Sequence, residues 1–324
     1  MKRTGLLITG FGGPDSIDAV APFMCNLMGR EPSDELVDRA CLRYLSIGGS
    51  SPLNDIAGSI AVKLGELLGD PDGQPMIAEV GMRYWHPFIE DALGRLKAAG
   101  CERVVVVNLA AFESKVATGA CRQSITEAAE PLGLEVVEAP LISELPAFVE
   151  YLAGSTSVAL AALEPNEGAV IAFTAHSLPV SDLVDDDPYV KGLERVAQAI
   201  AGRLVLEHGE HDAGERVFET FRAFGTSKAP RAWYLVYQSK GERPGAWLGP
   251  DLGELITACA ESGVPGLVVC PIGFTTDHME TLYDLDIVAA GDALDSGIEF
   301  ARASVPNDED MVLEALATAI RALG

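Results

Sequence analysis

Short apolar runs alternate along this chain with stretches of helical periodicity, and that alternation constrains the fold more than any other feature. Val104-Val-Val-Val107, Val170-Ile-Ala-Phe173 and Leu267-Val-Val-Cys270 are short runs without a polar face. Strands buried on both sides read this way, as they do in parallel sheets covered by helices. Between such runs, Ile56 to Leu68 repeats apolar residues at the three-to-four spacing of an amphipathic helix. Strands are expected from Gly5 to Phe11 and at 76–81, 102–109, 134–137, 169–174, 232–237 and 266–271. Helices are expected at about 15–28, 35–45, 56–68, 85–98, 119–130, 189–206, 251–262 and 313–323. The succession predicts an α/β protein of two Rossmann-like domains, each a mostly parallel sheet flanked by helices, spanning 1–150 and 151–324. The Asp/Gly/His-rich stretch 207–215 is expected to be an exposed loop.

The 324 residues suffice for a sizeable core, and no apolar run reaches the roughly 18 residues that would span a bilayer. Met1-Lys-Arg-Thr-Gly-Leu-Leu-Ile-Thr-Gly begins like a signal peptide. Its apolar run is too short, and it leads into Gly12-Gly13-Pro14, so a first strand is expected in a soluble, cytoplasmic protein. A net charge of −25 leaves no basic patch to pair with nucleic-acid phosphates, while it draws cations toward the surface. The six cysteines are scattered without a Cys-x-x-Cys pair, which argues against a disulfide framework or a metal cluster. Cys101 and Cys270 lie in or beside apolar runs and read as small core residues.

Chemistry concentrates where strands end. In an open α/β sheet, ligands bind outside the carboxyl ends of the strands. His176 follows the run Val170–Phe173 and is closed off by Ser177-Leu-Pro179, which places an imidazole at a cleft mouth. It reads either as an acid–base or metal-ligating group or as a cleft-edge histidine bonded to a carbonyl. Glu280, in Asp277-His-Met-Glu280, follows the run ending at Cys270, with Asp284 and Asp286 beyond it. On a helix, Glu280 and Asp284 share one face and can pass a hard cation or protons inward; the plainer reading is a solvated acidic helix start. Tyr237-Gln-Ser239 and Trp247-Leu-Gly-Pro-Asp251 supply aromatic surface after another strand. Arg30 and Arg43 flank the loop Ile47 to Leu53, where guanidinium groups suit carboxylate recognition or form surface ion pairs. The turn Gly12-Gly13 lacks a nucleotide signature and suits close approach of backbone to a flat ligand.

Taken together, Arg43-Tyr-Leu-Ser-Ile-Gly-Gly-Ser-Ser-Pro-Leu53, Gly81-Met-Arg-Tyr84, Pro87-Phe-Ile-Glu-Asp91, Phe173-Thr-Ala-His-Ser-Leu-Pro179, Tyr237-Gln-Ser239, Trp247-Leu-Gly-Pro-Asp251 and Pro271-Ile-Gly-Phe-Thr-Thr-Asp-His-Met-Glu280 resemble the ferrochelatase family, in order and over nearly the whole chain. The resemblance implies two Rossmann-like domains with a porphyrin cleft between them, and insertion of ferrous iron into a porphyrin for haem biosynthesis. It implies that His176 and Glu280 are catalytic and that they ligate the metal together with Asp284. Phe11, Arg30, Arg43, Ser51, Tyr237 and Trp247 are then porphyrin contacts, and Arg30, Arg43 and Ser51 meet propionates. Chain length and Gly29-Arg-Glu-Pro32 resemble the compact bacterial branch, which typically takes coproporphyrin III rather than protoporphyrin IX. Ferrous iron is then a substrate; no tightly bound cofactor, no iron–sulfur cluster and a monomer are expected.

Three positions depart from the family. Phe11 stands where compact relatives carry a tyrosine, Phe112 where many carry a histidine, and Val288 where a further glutamate extends the acidic row. These changes leave two alternatives open: a chelatase for another metal or tetrapyrrole, and a non-catalytic porphyrin carrier on the same scaffold.

Overall fold

A computed structural model describes residues 2–69, 73–204, 207–208, 232–241 and 243–323. The chain forms two compact units. Unit 1 holds Met1–Ala147, Thr275–Met279 and Pro306–Gly324; unit 2 holds Phe148–Phe274 and Glu280–Val305.

Unit 1 is built on β1 (Thr4–Gly10), β2 (Ala78–Met82), β3 (Arg103–Asn108) and β4 (Glu135–Glu138), all parallel in the order β2-β1-β3-β4. The two middle strands carry the most apolar runs, as burial on both faces requires. α1 (Val20–Met28), α2 (Asp34–Ser46), α3 (Leu53–Leu67), α4 (Ile89–Ala98) and α5 (Ala120–Ala129) accompany this sheet. Leu7, Leu93, Leu96, Val104, Val106 and Ile125 form its core. α2 begins at Ser33, whose hydroxyl accepts a bond from the Leu36 amide at 3.4 Å. α1 starts later than expected, at Val20: residues before it close three-residue turns, Ala19 to Ser16 and Val20 to Ile17, and Ala19 supplies no side-chain cap.

Unit 2 places β5 (Val170–His176) at the centre of a parallel sheet with β6 (Glu207–His208), β7 (Ala232–Gln238), β8 (Gly266–Cys270) and β9 (Glu299–Arg302), in the order β6-β7-β5-β8-β9. α6 (Pro146–Ala161), α7 (Pro188–Leu204), α8 (Leu252–Glu261), α9 (Met279–Leu282) and α10 (Ala290–Asp295) complete the elements that lie in it or, like α6 and α9, enter it. Val170, Tyr234, Val236, Leu255, Leu267 and Val269 form its core. Burial of Phe173, which is fully covered, contributes about 1.5–3 kcal/mol.

The chain leaves β5 toward β6 and β7 on one side and leaves β8 toward β9 on the other. β5 and β8 are neighbours, so their carboxyl ends mark the switch point at which such sheets bind ligands. In unit 1 the corresponding point lies between β1 and β3.

Four differences from the sequence reading stand out. The terminal helix α11 (Asp310–Arg321) belongs to unit 1 instead of the second half of the chain; it packs on α3, and Lys63 reaches Asp308 and Asp310. β5 runs on through His176, because the strand keeps pairing with β7 as far as His176 opposite Gln238. α6 went unpredicted, since small and apolar residues on most of its faces blur the period, and so did the short edge strand β9. Within the stretch expected as an exposed loop, Glu207–His208 is a strand; the rest of 207–215 and the last two positions of the predicted helix 189–206 lie outside the described residues.

Candidate active site

The site is assembled by unequal strand ends. β8 stops at Cys270, opposite Phe173, so β5 outruns it by three residues and carries His176 past its neighbour. The chain after β8 folds back beside that protruding end, and Gly273 donates its amide to the Thr174 carbonyl at 3.0 Å. A methyl group at Gly273 would lie 2.6 Å from Ala175 Cβ and 2.7 Å from its Cα, so only glycine permits this approach.

Ten residues after the end of β8, α9 delivers Glu280. His176 Nδ1 and Glu280 Oε2 are 3.1 Å apart, and each side chain stays about one-third exposed, at 33% and 32%. Burial opposes protonation of the imidazole; the Glu280 charge and hydrogen bond, with the more distant Asp284 charge, outweigh it and raise the His176 pKa. With Nδ1–H donating to Glu280, Nε2 is left as a lone-pair base or metal ligand. This is the geometry that pairs a proton acceptor with a carboxylate orienter.

The backbone around the pair is held by hydrogen bonds from Tyr189, Ser177 and Gln238. Tyr189, buried in α7, donates its hydroxyl to the His176 carbonyl at 2.8 Å. Ser177 gives its amide to the Gln238 carbonyl and its hydroxyl to the Leu248 carbonyl, both at 2.8 Å. Gln238 Nε2 donates to the Glu280 carbonyl at 2.9 Å, and Ser239 Oγ donates to Asp284 Oδ2. Only the Gln-Ser pair had a sequence signal, its place after a buried strand; Tyr189 had none.

The remaining expected contacts divide. Trp247 is half-buried; it bridges to Pro179 and bonds the Arg243 carbonyl through its indole at 3.0 Å, so the aromatic loop does lie beside the His176 segment. Tyr237 is only 4% exposed, within β7, and burial, with a smaller contribution from Glu194, pushes its phenol up to about 12. It lies in the core, in a run of three buried residues, Val236 to Gln238, at the end of β7. Glu280 and Asp284 do not share one continuous α-helix: α9 ends at Leu282 and a π-turn covers Asp284–Ala289, with Val288 exposed. Arg302 holds that turn through Asp286, at 2.5 and 2.9 Å.

In unit 1, Phe11 is exposed after β1, its ring 4.8 Å from that of Tyr84. Arg30 and Arg43 are exposed. Ser51 is 6% exposed, and a methyl group on Gly13 would meet its Cβ at 2.5 Å. Gly13 therefore makes room for Ser51, whose hydroxyl accepts from the Leu53 amide at 3.4 Å. Phe112, one of the three positions that depart from the family, is buried.

Residues 3–323 match the ferrochelatase family. The chain belongs to the ferrochelatase family. That membership makes it an enzyme of haem biosynthesis, one that inserts iron into a porphyrin. A ferrochelatase of Herpetosiphon aurantiacus is 30% identical over 98% of both chains. A coproporphyrin III ferrochelatase of Halalkalibacterium halodurans is 30% identical over 99% of this chain and 97% of its own. In structure, SirB from Bacillus subtilis, solved with Fe3+, superposes with a TM-score of 0.54 at 13% identity, covering 99% of this chain and 95% of SirB, a likeness of fold. No helix among the described residues is long and apolar enough to cross a membrane.

Proposed function

We propose that this ferrochelatase takes coproporphyrin III and ferrous iron and yields coprohaem, with His176 as the base and Glu280 as its partner. The observation that carries the reading is the His176–Glu280 pair at the switch point of unit 2, in a chain matched to the family from end to end. The name of the Halalkalibacterium relative supports the four-propionate substrate.

Iron gains four bonds to pyrrole nitrogens as two N–H protons leave. Nε2 of His176 accepts one of these protons from the ring, the Glu280 carboxylate balances the imidazolium, and the proton passes on to bulk water, so that the neutral imidazole can accept the second. The oxygens of Glu280 and Asp284 would replace water on the iron, and Nε2 of His176 would join them as a ligand only before it takes up a proton. Phe11, which has no donor atom, contributes apolar surface only. The exposed guanidinium groups of Arg30 and Arg43 pair with propionates, and Trp247 offers a face to the macrocycle. The enzyme acts in the cytoplasm as a monomer, with iron as substrate and no resident cofactor.

The test is anaerobic turnover of ferrous iron with coproporphyrin III and protoporphyrin IX side by side, followed by porphyrin absorption. Coproporphyrin is the expected preference, and preference for protoporphyrin overturns the substrate. His176→Ala is expected to lower kcat by about 10²–10⁴ while porphyrin still binds; near-normal turnover removes the assigned role. Tight binding with no insertion of ferrous or other divalent metal into either ring marks a carrier instead.

A further inference from the structure

One residue of the loop after β7, Arg243, holds both the loop's aromatic ring and the loop itself. Residues 246–248 pair antiparallel with the chain that follows His176. Leu248 donates its amide to the Leu178 carbonyl and Val180 donates to the Ala246 carbonyl, both at 2.9 Å, with Pro179 opposite Trp247. The Trp247 indole N–H donates to the Arg243 carbonyl at 3.0 Å. A methyl group on Gly241 would lie 2.8 Å from the tip of the indole, so the ring seats there against bare backbone.

The Arg243 guanidinium reaches Asp182 and donates to both carboxylate oxygens, at 2.8 and 3.4 Å. Asp182 ends the short 3₁₀ turn Val180–Asp182, directly after the paired segment. Among the described residues its carboxylate otherwise takes only a 3.5 Å bond from the neighbouring Ser181 hydroxyl. The arrangement is a closed circuit: from Pro179 to Asp182, across the ion pair to Arg243, and through the indole bond to Trp247, opposite Pro179. The side chains of Arg243 and Asp182 are 63% and 20% exposed. A pair this open to water adds little to fold stability. Its effect falls instead on the carbonyl that the indole is bonded to.

We propose that Arg243 is a positioning residue for porphyrin binding: its ion pair with Asp182 fixes the carbonyl that orients the Trp247 ring as a porphyrin contact. The inference rests on the proposed function, in which Trp247 offers a face to the macrocycle, and deepens it by naming what holds that face.

Arg243→Met removes the charge and keeps an unbranched side chain. Arg243→Asp sets two carboxylates against each other, and adding Asp182→Arg rebuilds the pair with its signs exchanged. The KM for coproporphyrin III, the KM for ferrous iron, Tm and acrylamide quenching of tryptophan fluorescence are measured for each. Of the three tryptophans, Trp85 and Trp233 are only 9% and 6% exposed, so quenching reports on Trp247. Arg243→Met is expected to raise the porphyrin KM about fivefold, the upper end for a partly exposed pair, and to increase quenching, with the iron KM and Tm unchanged. Arg243→Asp is expected to do more, and the reversed pair to recover most of the loss. A wild-type porphyrin KM in Arg243→Met, parallel rises for porphyrin and iron, or no recovery in the reversed pair overturns the proposal. If the wild-type protein neither binds nor metallates coproporphyrin III, it is the proposed function that fails. Quenching then decides whether Arg243 holds the ring: an increase in Arg243→Met that the reversed pair cancels supports it, and equal quenching overturns it.

Discussion

Gly273→Ala tests whether the chain after β8 sets the position of the catalytic strand end. The added methyl group would sit 2.6 Å from Ala175 Cβ and 2.7 Å from Ala175 Cα. Ordinary carbon–carbon contacts lie at about 3.5–4.0 Å, so the shortfall is roughly 1 Å. Ala175 is a fully buried strand residue and its Cα cannot rotate away, so relief requires backbone movement. Either the Gly273 amide withdraws from the Thr174 carbonyl, breaking a 3.0 Å bond, or the end of β5 shifts and takes His176 with it. Overpacking of this kind costs about 1–3 kcal/mol. At about 2–4 °C per kcal/mol for a chain of this size class, Tm should fall by roughly 2–12 °C. A displacement of roughly 1 Å at a catalytic group lowers turnover by about 10²-fold, so kcat should fall further than the loss of folded protein explains. Differential scanning fluorimetry and anaerobic turnover of the same preparation provide the two numbers. Turnover within about twofold of wild type, with Tm unchanged, would refute the claim that this approach positions His176.

Glu280→Gln removes the charge that raises the His176 pKa and leaves the burial that lowers it, so that pKa should drop. In the wild type the imidazolium stabilises the fold fully below about 6.5, and this contribution fades as pH rises through the higher folded value. The base needs neutral imidazole, so the acid limb of kcat/KM should lie above 6.5 in wild type and move to lower pH in Glu280→Gln; an unmoved limb sinks the pairing. Tyr189→Phe deletes the 2.8 Å bond to the His176 carbonyl. Leaving that carbonyl short of a donor should cost about 1–3 kcal/mol in urea unfolding. Unchanged stability would mean that another donor replaces the phenol.

Much of the fold was legible because burial on two faces leaves a plain mark. Val104–Val107, Val170–Phe173 and Leu267–Cys270 all became central or near-central strands. α6 was lost for the opposite reason: its small and apolar residues carry little contrast between faces. Within the site, His176 and Glu280 stood out by position after strands, yet nothing local tied them together across 104 residues. Ser51 and Tyr237 proved to be buried, a placement that the sequence left open because a hydroxyl or an aromatic ring suits both a surface and an interior, and only packing chooses between them.

The amino-acid order by itself determined that strands and helices alternate, that two parallel sheets form, and which polar groups sit at strand ends. These follow from periodicity and turn chemistry over windows of a few residues. Tertiary structure decided the rest. It carried β5 three residues past β8, gave the terminal helix to unit 1, and brought Tyr189, Gln238 and Ser239 against the groups they hold. Hydrogen bonds between residues far apart in sequence depend on strand register and on how each crossover closes, and no local pattern encodes either.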